Sequence, residues 1–331
     1  MNSKAYWSVF APDINGFISM KRSLGYKYEG EERVLHTFDR FVLAEQHTGT
    51  GLTKEIADKW AQRRNNEAKL TLYGKVRIVK QFAEYLRDQG INTYVPNLPK
   101  YPESTFIPYI YSYQQINAML TACDKLRMKN RSVDSCLLIV PCLIRMLYGT
   151  GIRIGEAVSL KNKDVDLSSK CLTIKDSKNG KDRLVPISNS LALVCTDYIE
   201  HRSKLPVMDV NLDEKPFFVS LNGRYCRRDA VYSWFRKVLI LADIPFTGDR
   251  KGPRIHDIRH TFACHSFVKL ADDGQDLYCS WPYLSTYMGH QSLEATEQYI
   301  RLTSQMYPEL LKDTDGLYVD ILPDIVSNNQ L

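Results

Sequence analysis

Eight cysteines, at 123, 136, 142, 171, 195, 226, 264 and 279, include no Cys-x-x-Cys pair. That absence leaves a zinc ribbon or a thioredoxin-like motif unsupported. Scattered single cysteines in apolar surroundings are expected as buried free thiols in a reducing compartment. His260, Cys264 and His265 lie close in sequence, but no fourth ligand is in view and their spacing matches no common zinc pattern. Long apolar runs are missing too: Cys136–Val140, CLLIV, falls far short of the ~20 residues that a bilayer helix needs. The N-terminal residues lack the basic-then-apolar order of a secretory signal. A cytoplasmic protein without membrane contact is therefore expected. Internal repeats and low-complexity segments are lacking, and no carboxylate cluster of the kind a metal-dependent nuclease needs stands out. Charge is not one-sided: 44 Lys and Arg against 38 Asp and Glu leave a net charge of +6. So mild an excess permits a polyanionic partner without requiring one.

The 331 residues suffice for two domains, with 44% hydrophobic and 25% charged residues, as in ordinary soluble proteins. Proline marks the division. "VPNLPKYPESTFIP" gathers Pro96, Pro99, Pro102 and Pro108, a density that forbids regular helix and favours an extended connector. The expected organisation is a domain over 1–100, a linker over 101–111 and a second domain over 112–331. The first domain reads as a small all-α bundle of four helices. "NGFISMKRSLG" opens it, "ERVLHTFDRFVLAE" places apolar residues at 34, 35, 38, 41, 42 and 43, and Thr53 caps "KEIADKWAQRR". "LYGKVRIVKQFAEYLRDQG" then runs to Gly90, a suitable C-terminal cap. Lys59, Arg63, Arg64, Lys69, Lys75, Arg77 and Lys80 cluster on the last two of these helices. Solvated faces are the ordinary account of such a cluster. Against DNA it would form a backbone-contacting surface.

Beyond the connector, Ser112 and Gln115 form a capping box at the start of "YQQINAMLTAC". One β-feature interrupts a mostly helical pattern. In "CLTIKDSKNGKDRLVPIS", Leu172, Thr173 and Ile174 lead into Asn179-Gly180, a strong hairpin turn, and Leu184, Val185 and Ile187 lead out. Lys178 and Lys181 flank that turn, where lysines are usually just solvated. Further on, "PRIHDIRHTF" at 253–262 would set His256, Arg259 and His260 on one helical face, with Asp257 the sole acid in the stretch. A surface helix normally interleaves acids there. The missing anion must come from elsewhere in the chain or from outside it. "LYGTGIRIGEAVSL" puts Arg153 after a Thr-Gly turn with Glu156 three residues on, and "MGHQSLEATEQYIRL" puts Tyr299 nine residues after His290. Each feature alone has a bland explanation: a local ion pair, a turn, a packed tyrosine.

Taken in order, these features resemble the tyrosine recombinases, the phage-integrase-type enzymes that break and rejoin DNA. The resemblance covers residues 112–305 in motif detail and the N-terminal bundle more loosely. It implies a mainly α fold with a small antiparallel β-sheet: an N-terminal helical core-binding, SAM-like bundle and a C-terminal catalytic domain, closing as a clamp around DNA. It further implies that Arg153 and Arg259 clamp the phosphate, that His256 and His290 take the two histidine positions, and that Tyr299 is the nucleophile. Lys178 best matches the hairpin lysine of a Gly-Lys-Gly-x-Lys-x-Arg-x-Val-Pro pattern. Ser177 replaces its first glycine, so Lys181 stays an alternative. Glu156 matches the acidic position beside the first arginine, and His260 a supporting one.

Such chemistry needs these groups. Attack on phosphorus builds negative charge on the non-bridging oxygens, which two planar guanidiniums can bind with paired hydrogen bonds, without metal or other cofactor. A phenol needs its proton drawn off, for which His256 is the better candidate, and a departing 5′ oxygen needs a proton, which a hairpin lysine can deliver. The expected partner is double-stranded DNA with inverted-repeat core sites, bound by a protein monomeric in solution and tetrameric on DNA. The tetramer would form through a C-terminal tail carrying Leu310, Leu311, Leu317, Val319, Ile321 and Leu322. "NGRYCRRDAVYSWFRK" adds Arg224, Arg227, Arg228, Arg236 and Lys237, with Arg227 and Arg228 the leading DNA contacts. The rival readings are a type IB topoisomerase-like relaxase and a DNA-binding accessory protein that has lost catalysis.

Overall fold

Several helices begin where the sequence supplies a cap or a proline. The computed structural model describes residues 5–102, 107–128, 132–175, 182–246 and 252–289, the side chains of Leu277 and Tyr278 excepted. The chain divides into two units, Met1–Phe106 and Ile107–Leu331. The first holds α1 (Ala11–Ser23), α2 (Glu29–Ala44), α3 (Lys54–Ala61) and α4 (Lys69–Asp88). Pro12 sits in the first turn of α1, where its missing N–H costs nothing. The Thr53 hydroxyl accepts from Ile56 N at 3.3 Å and so caps α3, while Gly90, at φ +81°, follows α4 in the left-handed conformation. Residues spaced three and four apart on each helix, among them Phe17, Phe38, Trp60 and Phe82, meet in one buried cluster. Several of its rings pack edge to face, as in Phe38–Trp60 at 5.2 Å and Phe10–Phe82 at 5.8 Å. Buried Asp39 accepts from the backbone N–H groups of Trp7 and Ser8, both at 2.9 Å, and ties the preceding segment to α2.

The second unit opens with α5 (Tyr113–Asp124), then α6 (Val140–Thr150) and the short α7 (Ile154–Ser159). The capping box of α5 forms as expected: Ser112 Oγ accepts from Gln115 N at 3.2 Å, and Ser112 N donates to Gln115 Oε1 at 3.0 Å. A sheet follows, made of β1 (Val165–Asp166), β2 (Cys171–Ile174) and β3 (Arg183–Pro186), in that order and antiparallel. The two expected strands pair from Cys171↔Pro186 to Ile174↔Arg183, and β1 adds an edge that the hairpin pattern did not disclose. Leu172, Ile174 and Val185 are buried, whereas Leu184 faces solvent, which is the period-2 alternation of a half-buried sheet. The turn with Asn179-Gly180 lies outside the described residues.

Among the described residues, four more helices follow in the unit: α8 (Asn189–Ser203), α9 (Arg228–Leu241), α10 (Asp257–Asp272) and α11 (Leu277–Met288). Helix α6 is buried along most of its length and packs against α5, α8, α9 and α10, so it forms the axis of the unit. Six of the eight cysteines are buried and all eight are free thiols. Among the described residues, no helix is long and apolar enough to cross a membrane.

Candidate active site

The Thr150-Gly151 turn exists because α6 must stop abruptly. Gly151 caps it at φ +61°, and a Cβ there would stand 2.2 Å from the Phe262 ring. Arg153, two residues on, is the N-cap of α7. Its backbone N–H donates to Glu156 Oε2 and its Nη1 to Glu156 Oε1, both at 2.9 Å. The Arg153–Glu156 pair is thus present, but it is not a simple surface pair. Glu156 is buried and also receives a fork from Arg183 at the start of β3, Nη1 to Oε1 at 3.2 Å and Nη2 to Oε2 at 2.8 Å. Burial disfavours its ionised form, yet the hydrogen bonds from Arg183 and from the Arg153 amide, with the two positive charges, hold its pKa down to about 2.

Arg259 enters from α10 and is buried, at 3% exposure. Its Nη1 donates to Gly151 O at 2.6 Å and its Nη2 to Met288 O at 2.8 Å. Arg153 Nη2 donates to the next carbonyl, Gly289 O, at 3.3 Å. The two arginines therefore converge on the C-terminal end of α11, where carbonyls lack intrahelical partners and the helix dipole is negative.

His256 is the N-cap of α10 rather than an interior residue, and His260 lies one turn on, their ring centroids 5.0 Å apart and perpendicular. His256 keeps solvent-accessible area, but crowding protein atoms and the charge of Arg259 lower its pKa below the ordinary histidine value. It is accordingly neutral near pH 7. Asp257 does not balance the face bearing His256 and Arg259. It turns inward, 1% exposed, and accepts from Arg254 N at 2.8 Å, Arg254 Nε at 3.3 Å and Arg254 Nη2 at 2.9 Å. His265 stacks on Tyr113 at 3.9 Å, and its Nδ1 lies 2.9 Å from the Tyr148 hydroxyl.

Lys178, its alternative Lys181, His290 and Tyr299 lie outside the described residues. Of the outlying basic positions, Arg77 is exposed, as are Arg63 and Arg64. Lys59 is paired with Glu45 at 2.8 Å and Glu55 at 3.1 Å. Lys75 does not belong to a DNA-facing surface. It is 8% exposed, bonded to Glu67 at 3.0 Å and to Gln62 O at 3.2 Å, with its ammonium over the Trp60 ring. Presenting it to a phosphate would strip a buried ion pair. Arg227 pairs with Asp229 at 2.8 Å on the surface. Exposed Arg228 rests its guanidinium against Gly155 of α7, 3.4 Å from where a Cβ would be, and so adds positive charge beside Arg153. The residue that motif reading passed over is Arg183, although it stands in the "KDRLVP" run that carries the hairpin pattern.

The phage integrase family model matches residues 111–306. The Sinorhizobium fredii protein y4rB, provisionally assigned as an integrase/recombinase, is 32% identical over 317 residues, covering 95% of this chain and 99% of that one. The tyrosine recombinase XerA of Thermococcus kodakarensis is 27% identical over 230 residues, 68% of this chain and 70% of the relative. Among solved structures, the Tn1549 transposon integrase bound to a circular intermediate DNA superposes with a TM-score of 0.61 at 17% identity, over 87% of this chain and 94% of that one, a likeness of fold. A family match over more than half of the sequence and a relative aligned along nearly all of it agree with the convergence of Arg153 and Arg259: the chain belongs to the phage integrase family of tyrosine recombinases.

Proposed function

We propose that this chain is a site-specific DNA recombinase that cuts and rejoins strands through a 3′-phosphotyrosyl intermediate. The observation that carries the reading is the meeting of Arg153 and Arg259 at the end of α11, close enough to His256 that burial and their charges lower its pKa. Tyr299 Oη attacks the phosphorus, the Oη–P bond forms, and the bond from phosphorus to the 5′ oxygen breaks. The phenolic proton passes to His256, whose lowered pKa leaves it unprotonated and able to accept it. The departing 5′ oxygen takes a proton from Lys178, or from Lys181. Arg153 and Arg259 neutralise the charge that develops on the non-bridging oxygens, and His290 adds a hydrogen bond. Glu156 holds Arg153 in place, and His260 packs against His256. The new diester conserves the energy of the old one, so a 5′-hydroxyl of another strand can reverse the step without ATP. That relatives are named recombinases and integrases favours strand exchange over supercoil relaxation.

The DNA partner is double-stranded, gripped through its phosphates by Arg63, Arg64 and Arg77 of the first unit and by Arg227 and Arg228 of the second. Assembly follows as inverted-repeat core sites binding a tetramer whose C-terminal tails are exchanged. An apolar groove of about 440 Å³ lined by Phe262, Leu270, Tyr283, Leu284 and Tyr287 offers a seat for such a tail. The test is covalent capture. Wild type and Tyr299→Phe are expressed in cells carrying the gene with its native flanks, denatured without crosslinker, and the attached DNA is sequenced. DNA bound to wild type alone, ending at one recurrent position, is the expected result. Equal recovery from both would remove Tyr299 as nucleophile.

A further inference from the structure

Three successive carbonyls at the end of α11 each accept from a different arginine. Tyr287 O receives Arg183 Nε at 3.1 Å, Met288 O receives Arg259 Nη2 at 2.8 Å, and Gly289 O receives Arg153 Nη2 at 3.3 Å. Two of these arginines have a part in the chemistry proposed above, and Arg183 has none. Among the described residues it nonetheless makes three side-chain hydrogen bonds. Its terminal nitrogens grip both oxygens of Glu156 while its Nε holds α11, so one planar group joins β3, α7 and α11. Gly289 is packed on it: a Cβ there would lie 3.0–3.1 Å from the Arg183 guanidinium, and φ is +68°.

Resting on the recombinase reading, we propose that Arg183 is a positioning residue that locks Glu156 and the end of α11, so that Arg153 and Arg259 present their guanidiniums to the scissile phosphate in fixed register. The physical argument is a competition for one carboxylate. Glu156 is shared between Arg153 and Arg183. If Arg183 is removed, both carboxylate oxygens become available to Arg153, which is drawn toward α7 and away from the phosphate. Residue 289 loses its packing surface at the same time, immediately before His290. Lysine can replace this function only in part: it restores the charge, but a point charge cannot serve two carboxylate oxygens and a carbonyl from one plane. Among the described residues, the charged groups bonded to Glu156 are Arg153 at the start of α7 and Arg183 on β3, and Arg228 on α9 lies beside the adjacent Gly155.

The test uses the full-length protein on a nicked duplex carrying the site recovered by covalent capture, with Arg183→Gln, Arg183→Lys and Glu156→Gln. Arg183→Gln is expected to bind the duplex like wild type but to form the adduct about 10- to 100-fold more slowly at pH 6, the loss of a charge-assisted pair. The deficit should shrink as pH falls toward 4.5, because Glu156 with one cation fewer titrates upward and, once protonated, no longer draws Arg153 away from the phosphate. Arg183→Lys should recover part of the rate. In a Glu156→Gln background, removing Arg183 should cost less than about threefold more. Wild-type rates in Arg183→Gln, or a loss equal at every pH and additive with Glu156→Gln, would overturn the proposal. If the glutamine variant does not fold, Arg183→Lys carries the same pH comparison. A second readout needs no cleavage: carbon-13 NMR titration of the Glu156 carboxyl should move upward in the variant, and an unmoved titration would also overturn it. Absence of any adduct from wild type would instead refute the recombinase reading, with the titration still deciding the role of Arg183.

Discussion

Replacing Glu156 with glutamine tests the charge balance of the site through stability alone. The Glu156 carboxyl is held at about 2 against an ordinary 4.5. A folded-state pKa below the unfolded one means that the carboxylate stabilises the fold above the unfolded value, and that this contribution is lost as pH falls through the folded one. The shift is worth about 3 kcal/mol at pH 7. Because Glu156 is 8% exposed, solvent screening removes little of it. The titration predicts that about 0.8 kcal/mol of it is gone at pH 4 and about 2 kcal/mol at pH 3. Glu156→Gln cannot titrate and leaves Arg153 and Arg183 facing each other across a neutral amide. Urea unfolding of both proteins at pH 7, 5.5, 4 and 3 measures the gap directly. The gap should be widest at pH 7 and 5.5 and close by those amounts as acid is added. A gap constant across the series would show that the carboxylate is not held by its arginines in the folded state.

Gly151→Ala should lower the melting temperature by about 5–10 °C, since the residue must adopt φ +61° and its methyl group meets Phe262. Differential scanning calorimetry checks this, and an unchanged melt would refute the cap assignment. Lys75→Met should destabilise the first unit by about 3 kcal/mol by stranding the largely enclosed carboxylate of Glu67, while leaving the salt dependence of DNA binding unaltered. Arg77→Ala should do the reverse: no change in denaturant midpoint, but a log–log salt slope shallower by about 0.9 in a binding titration. Equal salt slopes for the Arg77 variant and wild type would remove that residue from the phosphate surface.

Features written within a few residues were legible before any fold was known. Ser112 with Gln115, Thr53 before α3, Gly90 after α4 and the strands flanking Asn179-Gly180 all follow from local hydrogen-bonding geometry and side-chain period, which neighbouring residues express without help. The order Arg153, Glu156, His256, Arg259, His290 and Tyr299 is also written in the sequence, where its resemblance to a known family, not the spacing alone, proposes a reaction for it. Charge placement could not. Lys75 looks like its exposed neighbour Arg77 in the sequence, and only the packing of α4 against Trp60 turns it inward. Asp257 looks like the counterion of its own helix face, yet it closes on Arg254. Glu156 shows its local partner, Arg153, at i−3, but its second partner, Arg183, arrives 27 residues later through strand pairing. The gathering of Arg153, Arg183 and Arg259 on carbonyls 287–289 joins segments more than a hundred residues apart in two of its three bonds. Spacing specifies which groups a helix or turn presents. Which of them share one carboxylate, or one helix end, depends on distances that exist only after the core has closed.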